Sequence, residues 1–362
     1  MSVYRSNLKN MQPYVPGRPI DEVKRQYGLS RVVKLASNEN PLGCSPKVPE
    51  AVARTFAEAR LYPDGYCTEL RQVVSGKYNI APEQLVFGAG TDDVIAMLGK
   101  IFINPGDEAV TAQTTFSQYA ASVESMGGVM VYTPMKDYGF DLRAIVKSIT
   151  EKTKLIFVAN PNNPTGTYHT AEEQSWLMEN VPGDVTVIFD EAYREYVTAS
   201  DYPDTWATLK KYKNAVLLKT FSKIYGIASL RVGFGAMSAE TAAQIEKIRC
   251  PFNVTVQGQA AALAALNDTA FMEKSKGENR RVMEFTGRAL TEMGLYYIPS
   301  QANFLMADVK RDSRAAFEAL MKKGYIIRPG AAFGMDTFLR ITVGTQEEME
   351  GFMDALKEVL AV

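Results

Sequence analysis

The feature that most constrains the fold is an alternation of short apolar runs with loops and helical stretches between about residues 85 and 235. Several of these runs are rich in Val and Ile and lack interleaved polar residues, which is typical of strands covered on both faces. This order of elements predicts an α/β fold with a mostly parallel, seven-stranded sheet flanked by helices. The predicted strands are Gln84–Phe87, Glu108–Thr111, Val129–Thr133, Lys154–Ala159, Val185–Phe189, Ala215–Lys219 and Val232–Ala236.

The residues outside this alternation predict a smaller unit. Pro and Gly punctuate residues 1–40, which we expect to form an N-terminal arm. After about residue 238, longer helical segments mix with short strands, as in an α+β domain. We therefore predict a large domain at residues 41–240, with residues 1–40 and 241–362 forming the arm and the small domain. Predicted helices are Thr91–Ile103, Ala239–Ile248, Val256–Leu266, Thr269–Met293, Ser313–Lys323 and Gln346–Val359, and predicted strands are Ala302–Ala307, Tyr325–Ile327 and Phe338–Val343.

The charge balance and the hydropathy pattern exclude some classes of partner. The chain has 40 basic and 41 acidic residues, so nothing suggests a nucleic-acid partner, which usually requires a basic excess. The N-terminal residues are polar and lack the apolar run of a signal peptide. No stretch approaches the length of a membrane span. We expect a cytoplasmic protein with no membrane partner.

Cysteine and histidine usage narrows the chemistry. Cys44, Cys67 and Cys250 are far apart and form no CxxC pair, so we expect neither a disulfide framework nor a metal site. The one histidine, His169, follows a turn segment and is predicted to be a surface residue. A histidine-based triad is therefore excluded in practice, and proton chemistry must rest on Lys, Asp, Glu or Tyr.

Polar residues directly after the predicted strands are the candidates for a site, because open α/β sheets bind ligands beyond the carboxyl ends of their strands. Lys223 follows the strand AVLLK and on its own could be a surface residue at the start of a loop. Ser222 precedes it and Arg231 lies eight residues on. A hydroxyl and a guanidinium can hold a phosphate while an amine attacks a carbonyl, so this set suits a phosphorylated aldehyde.

Two further strand ends carry polar residues. Asp190 ends the run VIF and could be a helix N-cap, or its carboxylate could pair with a protonated pyridine nitrogen and keep that ring an electron sink. Tyr193, three residues on, could hydrogen-bond a ring hydroxyl. Asn163 lies in the segment NPNNPTG, which is a tight turn in any case, and its amide could donate to the same ring oxygen.

The segment Gly88–Asp92 follows another predicted strand and opens a helix. Its amides could bind a phosphate, or Thr91 or Asp92 could simply cap the helix. Phe116 lies beyond a further strand and could stack on a planar ring or serve as plain packing. Together the strand ends offer an amine, a phosphate cup, an anion for a ring nitrogen, a donor for a ring oxygen and a stacking face. Pyridoxal phosphate requires that whole set.

Nearly the whole chain resembles the fold-type I pyridoxal-phosphate-dependent aminotransferases, and within them the histidinol-phosphate aminotransferases. Segments NNPTG (162–166), FSK (221–223) and LRVG (230–233) resemble the superfamily, and segments PYVPG (13–17), KLASNENP (34–41) and YPDG (62–65) resemble the subgroup.

The resemblance implies that Lys223 forms a Schiff base with pyridoxal phosphate. It implies that Asp190 contacts the pyridine nitrogen, while Asn163 and Tyr193 contact the ring oxygen, with Lys223, Asp190 and Tyr193 as the catalytic residues. Phe116 would cover the ring; relatives often carry Tyr there, so stacking is kept and a hydroxyl is lost. The cofactor phosphate would be held by Gly90, Thr91, Ser222 and Arg231, with Asp92 beside them.

Substrate contacts and a second subunit are also implied. Arg340 would grip an α-carboxylate, although it could instead form a strand-end salt bridge, and Arg328 would contact a substrate phosphate, although it could be a surface residue. Tyr14 would also bind substrate. Tyr62, in YPDG, would reach into the neighbouring subunit's site, which implies a homodimer with shared active sites.

The implied reaction is a ping-pong transamination in histidine biosynthesis. L-glutamate is the amino donor and yields 2-oxoglutarate, and imidazole-acetol phosphate is the keto acceptor and yields L-histidinol phosphate. Two alternatives on the same scaffold stay open, an aromatic amino acid aminotransferase and a threonine-phosphate decarboxylase. A third, a non-catalytic cofactor-binding regulator, would need an attached DNA-binding domain, and the arm before residue 41 is too short to be one.

Overall fold

The strands within residues 3–361 form one large sheet, one smaller sheet and two short pairs. The computed structural model describes residues 3–361. The strands are β1 Val33–Lys34, β2 Leu85–Gly88, β3 Glu108–Ala112, β4 Val129–Thr133, β5 Met135–Lys136, β6 Gly139–Phe140, β7 Thr153–Ala159, β8 Thr186–Asp190, β9 Ala215–Thr220, β10 Gly233–Ala236, β11 Tyr296–Ile298, β12 Phe304–Asp308, β13 Tyr325–Ile326, β14 Arg328–Pro329 and β15 Phe338–Thr342.

Helices flank both sheets. The α-helices are α1 Ile20–Tyr27, α2 Lys47–Thr55, α3 Thr68–Tyr78, α4 Thr91–Phe102, α5 Gln118–Glu124, α6 Leu142–Lys147, α7 Ala171–Asn180, α8 Thr205–Lys211, α9 Ala239–Glu246, α10 Val256–Leu266, α11 Thr269–Glu292, α12 Ser313–Lys322 and α13 Gln346–Leu360.

The large sheet has seven strands in the order β2-β10-β9-β8-β7-β3-β4. Strand β10 is antiparallel to both of its neighbours, and the remaining pairs are parallel. The predicted α/β fold with a mostly parallel seven-stranded sheet is therefore confirmed, and each strand overlaps its predicted run. The parallel strands all end at one edge, where polar residues gather.

Apolar residues cover both faces of this sheet. Val187 and Leu217 belong to a core shared with α3, α7 and α10, whereas their neighbours Ile188 and Leu218 belong to a core shared with α4, α5 and α9. Successive side chains of a strand point to opposite faces, so a sheet with two buried faces requires unbroken apolar runs. That requirement explains why these strands show no alternation with polar residues.

The smaller sheet is antiparallel, with strand order β11-β12-β15-β14. Leu305 and Leu339 pack from this sheet against Leu290, Leu320 and Phe352 of α11, α12 and α13. Strand β1 pairs in parallel with β13, so residues of the N-terminal arm join this part of the molecule. The predicted smaller α+β unit is confirmed, although β1, β11, β14 and the β5–β6 hairpin lie outside the predicted strands, because their two or three residues carry no recognisable pattern.

Helices α9 and α10 pack on the large sheet. Ile245 lies in the core shared with α4, and Ala261 and Ala265 lie in the core shared with α3. Asp268, which caps α11 by accepting from the amide of Phe271, also accepts a hydrogen bond from Ser45. The division at residue 240 stays a prediction, and we propose from this packing that the two domains join near Asp268.

His169 is buried, so its predicted surface position is wrong. Its side chain is 4% exposed, and Nε2 lies 2.9 Å from Oε1 of Gln174 and 3.3 Å from Nδ2 of Asn160. Burial lowers the pKa of the imidazole below its ordinary value. The turn after β7 folds back onto the start of α7, where two amide side chains satisfy the ring, and sequence alone does not show this. No helix within residues 3–361 is long and apolar enough to cross a bilayer.

Candidate active site

A cavity of about 1200 Å³ opens at the edge where the parallel strands of the large sheet end. Residues of the arm and of the small domain close its other side, so the cavity lies between the two parts of the fold. The predicted site residues that line it are Tyr14, Thr91, Asp92, Phe116, Asn163, Asp190, Tyr193, Ser222, Lys223, Arg231, Arg328 and Arg340.

Lys223 follows β9 and projects into this cavity. Its Nζ donates to the carbonyl oxygen of Ser37 at 3.1 Å and lies 5.7 Å from the ring centroid of Tyr193. Within residues 3–361 no carboxylate forms a salt bridge with this amine. An amine held by one carbonyl and facing a cavity is placed to attack a ligand carbonyl.

Arg231 is the centre of an anion cup. Its Nη1 lies 3.3 Å from Oγ of Ser222, and its Nη2 lies 3.5 Å from Oδ2 of Asp92. A Cβ added at Gly90 would lie 2.5 Å from the same Nη2, so only glycine lets the guanidinium approach the start of α4. Gly90 itself has a φ of 85°, in the left-handed region that favours glycine.

The amides at the start of α4 remain available to a ligand. Gly90 is the N-cap, and within the described chain no side chain caps this helix, so neither Thr91 nor Asp92 is the cap that one alternative predicted. Asp93 instead accepts from the amide of Ala89 at 3.0 Å. An uncapped helix N-terminus beside a guanidinium and a hydroxyl is suited to a phosphate.

Asp190 is the last residue of β8 and is 6% exposed. Its Oδ2 accepts from the hydroxyl of Tyr119 at 2.7 Å, and its Oδ1 accepts from the amide of Ala192 at 3.1 Å. It caps no helix, because the short 3₁₀ turn that follows begins after Tyr193. Burial raises the pKa of Asp190 to about 6, although both hydrogen bonds oppose that rise. At neutral pH the site therefore holds a carboxylate that can pair with a cationic ring nitrogen.

Tyr193 links three parts of the chain at the site. Its hydroxyl accepts from Nδ2 of Asn38 at 2.9 Å. Asn38 is buried, and its Oδ1 accepts from Thr342 of β15 at 2.9 Å. A phenol that accepts one hydrogen bond still has its own O–H to donate. Tyr193 also lines the cavity, so its hydroxyl can donate to a ligand oxygen there.

Arg340 is buried at 6% exposure between the rings of Phe304 and Phe333. Its Nη1 donates to Oδ1 of Asn163 at 2.6 Å, and its Nη2 donates to the carbonyl oxygen of Ala36. Its Nε has no hydrogen-bond partner among residues 3–361, and no carboxylate there pairs with it, so the alternative of a strand-end salt bridge is not observed. Burial lowers the pKa of Arg340 to about 10, so it remains a cation at neutral pH.

Arg328 faces Arg340 across the antiparallel pair β14–β15. Its Nη2 donates to the carbonyl oxygen of Val15 at 3.1 Å, and its guanidinium lies 6.0 Å from the ring centroid of Tyr14. Both arginines line the cavity, so Arg328 is not the plain surface residue that one alternative predicted. Two cations side by side form a site suited to ligands with two anionic groups.

Phe116 and Tyr62 lie in different surroundings. Phe116 lines the cavity and contacts the ring of Tyr119 edge-on, with centroids 5.6 Å apart. Tyr62 lies outside the cavity of its own chain, where it is 82% exposed and stacked on Phe252 at 4.7 Å between ring centroids. The structure thus brings Phe116 to the predicted site and leaves Tyr62 at the surface.

Sequence reasoning missed two side chains that hold the site together, Tyr119 and Asn38. Tyr119 lies three residues after Phe116, and Asn38 lies in the segment SNEN, but their partners Asp190 and Tyr193 are 71 and 155 residues away. The available signal was the position of Tyr119, an aromatic residue three positions after Phe116. No local pattern indicates Asn38.

Several known proteins are similar to this chain. Residues 30–356 match the family model described as aminotransferase class I and II. The histidinol-phosphate aminotransferase of Halalkalibacterium halodurans is 47% identical over 99% of this chain and 97% of that protein. The histidinol-phosphate aminotransferase of Caldicellulosiruptor saccharolyticus is 44% identical over 99% of this chain and 100% of that protein. Among solved structures, histidinol-phosphate aminotransferase from Sinorhizobium meliloti in complex with pyridoxal-5'-phosphate has a TM-score of 0.92 and 27% identity, and covers 100% of this chain and 98% of that one.

Proposed function

The chain belongs to the class I and II aminotransferases, and from that premise we propose that it interconverts imidazole-acetol phosphate plus L-glutamate with L-histidinol phosphate plus 2-oxoglutarate. The two relatives described above, which are 44% and 47% identical to this chain, are both named histidinol-phosphate aminotransferase. The structural observation that carries the substrate assignment is the cross-strand pair Arg328 and Arg340. The two carboxylates of glutamate supply two anionic groups to such a pair, and the doubly charged phosphate of histidinol phosphate, which has no carboxylate, can contact both arginines.

Pyridoxal phosphate is the cofactor that the residues of the cavity fit. The guanidinium of Arg231, the hydroxyl of Ser222 and the uncapped amides of α4 form an anion cup beside Gly90, where a Cβ would collide with Arg231. The same cavity contains the amine of Lys223 and the buried carboxylate of Asp190. When bound, this cofactor supplies a cationic ring that withdraws electrons from the substrate carbon bearing the amino group.

We assign the cofactor-holding residues by their contacts. Arg231 and Ser222, with the amides of Gly90 and Thr91, would hold the phosphate, and Asp92 would stay close to the guanidinium that it already contacts. The ring would be held by Asp190 at its nitrogen, Asn163 and Tyr193 at its oxygen, and Phe116 against one face.

Lys223 carries the covalent and the proton chemistry in this proposal. Its amine would hold the cofactor covalently and, when free, would accept the proton from the carbon of the substrate that bears the amino group. The neighbourhood supports this role, because the one histidine of the chain lies outside the residues that line the cavity.

Arg340 would bind the α-carboxylate of glutamate. Its Nε lacks a partner among residues 3–361 and therefore offers a donor to an incoming carboxylate. Arg328 would bind the second carboxylate of glutamate in one half of the ping-pong reaction and the phosphate of histidinol phosphate in the other, so one site could serve both halves. Tyr14, beside Arg328 at the cavity mouth, would cover the bound substrate.

We also propose that the enzyme acts as a homodimer with shared active sites. The stacked pair Tyr62 and Phe252 is exposed, as are Phe56 and Tyr66 nearby in sequence. Large exposed aromatic residues of this kind are typical of surfaces that contact another protein. A cytoplasmic location stays a prediction.

The test is a pair of half-reactions followed by cofactor absorbance. Loaded enzyme mixed separately with L-glutamate and with L-histidinol phosphate should convert to the amine form of the cofactor in both cases. An aromatic aminotransferase would be favoured if phenylalanine converted the cofactor with a kcat/KM comparable to that of glutamate while histidinol phosphate did not convert it. Release of carbon dioxide from threonine phosphate without a keto acceptor would favour the decarboxylase.

A further inference from the structure

We propose that Tyr119 is a positioning residue that holds the carboxylate of Asp190 in its ionised, cofactor-binding orientation and at the same time fixes the ring of Phe116. This inference rests on the proposed cofactor site, because Asp190 and Phe116 are the residues assigned there to the ring nitrogen and to one ring face. Tyr119 lies outside the segments PYVPG, KLASNENP, YPDG, NNPTG, FSK and LRVG that resemble the family.

The contacts of Tyr119 hold its side chain in one orientation. The side chain is 1% exposed, and its ring is stacked on Phe157 with centroids 4.7 Å apart and planes 10° apart. The edge contact with Phe116, at an interplanar angle of 83°, constrains it from a second direction. The hydroxyl then meets Oδ2 of Asp190 at 2.7 Å. A buried ring held on two sides gives a hydrogen bond of fixed direction.

The direction of that hydrogen bond determines which charge state it favours. An ionised carboxylate only accepts, so the phenol of Tyr119 must donate to it, and the amide of Ala192 donates to the other oxygen. Each oxygen of Asp190 therefore has one donor from the protein and keeps lone pairs for a cation. Donation to the ionised form of an acid stabilises that form.

The other groups around Asp190 have opposing effects on the pKa of its carboxyl group. Lys223, after β9, favours the ionised carboxylate, whereas Asp92 on α4 disfavours it, and the phenol of Tyr193 lies on the following turn. Burial is the largest effect and raises the pKa of Asp190, while the hydrogen bond from Tyr119 lowers it. Tyr119 thus offsets part of the cost of burying this charge.

One side chain therefore orients two contacts of the same ligand. Phe116 precedes the helix on which Tyr119 lies, and Asp190 ends a strand of the sheet below. Because Tyr119 contacts both residues, a shift of the Tyr119 ring would move Phe116, which covers the cofactor ring, and Asp190, which pairs with the cofactor nitrogen, at the same time. A purely structural phenylalanine at position 119 could supply the ring contacts but not the donor.

The experiment measures binding of pyridoxamine 5'-phosphate to the apoenzyme, because that form binds without the covalent link to Lys223. The variant Tyr119→Phe keeps the ring and removes the donor. We expect its dissociation constant to rise about 10- to 100-fold at pH 7.5, as for loss of one hydrogen bond to a buried charge. The affinity should also fall off at a higher pH than in the wild type as the solution is acidified, because Asp190 is then protonated more readily.

Two comparisons separate this role from a structural one. In an Asp190→Asn background, Tyr119→Phe should change the dissociation constant by less than about threefold, because the partner charge is gone. Tyr202→Phe is the matched control, since Tyr202 is also buried and its hydroxyl donates to a backbone carbonyl, that of Asn160. It should bind the ligand like the wild type.

The outcomes distinguish failure of this inference from failure of the proposed function. If Tyr119→Phe binds with unchanged affinity and an unchanged pH profile, or loses as much affinity in the Asp190→Asn background as alone, Tyr119 does not act through Asp190. If the wild-type apoenzyme binds neither pyridoxamine 5'-phosphate nor pyridoxal phosphate, the proposed function itself is wrong and the inference is overturned with it.

Discussion

Arg328 and Arg340 are direct partners across two antiparallel strands, and both guanidinium groups line the same cavity. Like charges placed opposite each other destabilise a sheet. Burial is the main cause of the lowered pKa of Arg340, and the charge of Arg328 lowers it further. The protein therefore maintains an unfavourable pair of cations at this edge, and an anionic ligand relieves it.

Substitution of the two arginines should separate their roles. Arg340→Gln should reduce kcat/KM about 100- to 1000-fold for L-glutamate and for L-alanine, because both donors carry an α-carboxylate. Arg328→Gln should reduce kcat/KM for L-glutamate and L-histidinol phosphate but leave that for L-alanine, which lacks a second anion, within about threefold of wild type. Steady-state kinetics with the three donors provides the measurement. Equal losses for alanine in both variants would contradict the division of roles.

Lys223→Ala should abolish covalent attachment of the cofactor. Treatment with borohydride followed by mass spectrometry should find the reduced adduct in the wild type and none in the variant. Turnover should fall by at least about 10⁴-fold, since the variant loses both the nucleophile and the general base. Lys213→Ala, at an exposed lysine after α8, is the control and should behave like the wild type. An adduct retained on the Lys223→Ala chain would show that another lysine carries the cofactor.

The raised pKa of Asp190 predicts a cost in stability. A carboxyl whose pKa rises from 3.8 to about 6 on folding stabilises the folded state below pH 3.8, and that contribution disappears as the pH rises through about 6. At neutral pH the ionised Asp190 should therefore destabilise the apoenzyme by about 3 kcal/mol relative to a neutral group of the same shape.

Urea denaturation of the apoenzyme checks this sign. Asp190→Asn should be more stable than the wild type at pH 7.5, and the difference should shrink as the pH falls through about 6 towards 3.8. Cofactor binding should be weaker in the same variant, because a neutral amide cannot pair with a cationic nitrogen. A variant less stable than the wild type at pH 7.5 would mean that the hydrogen bonds to the carboxylate outweigh its burial.

How far the sequence predicts this molecule differs between its parts. The strands of the large sheet were predictable because burial on both faces requires unbroken apolar runs, such as Leu155–Ala159 in β7. Strand ends follow from those runs, so Asp190 and Lys223 were found as site candidates. The two-residue strand β14, which carries Arg328, has no pattern of its own and exists only through its pairing with β15.

Contacts between distant segments were beyond sequence reasoning. Tyr119 meets Asp190 because α5 packs over the end of β8, and Asn38 meets Tyr193 because the arm crosses the same edge of the sheet. His169 was predicted at the surface because turns usually lie there. It is buried instead, since Gln174 and Asn160 satisfy its ring. Each of these contacts forms because folding brings two separate segments of the chain together.

Gly90→Ala should weaken binding of phosphorylated ligands selectively. The added Cβ would collide with Nη2 of Arg231, and the φ of 85° would cost a residue with a side chain about 1–2 kcal/mol of backbone strain. Apoenzyme binding should therefore fall for pyridoxamine 5'-phosphate and much less for pyridoxamine, which lacks the phosphate. Gly183→Ala is the matched control, because a Cβ there meets no atom within 4 Å. Equal losses for both ligands would show that the cup at Gly90 does not hold the phosphate.

The proposed sharing of active sites between subunits predicts complementation between inactive variants. Tyr62→Ala and Lys223→Ala should each lose most activity alone, because one lacks the residue donated to the partner and the other lacks the nucleophile. In a dimer containing one chain of each, one site combines Lys223 of the first chain with Tyr62 of the second. Equal amounts denatured and refolded together should recover about a quarter of wild-type activity, since half the dimers are mixed and each has one intact site. Activity equal to the sum of the separately refolded variants would mean that Tyr62 serves its own subunit or no active site.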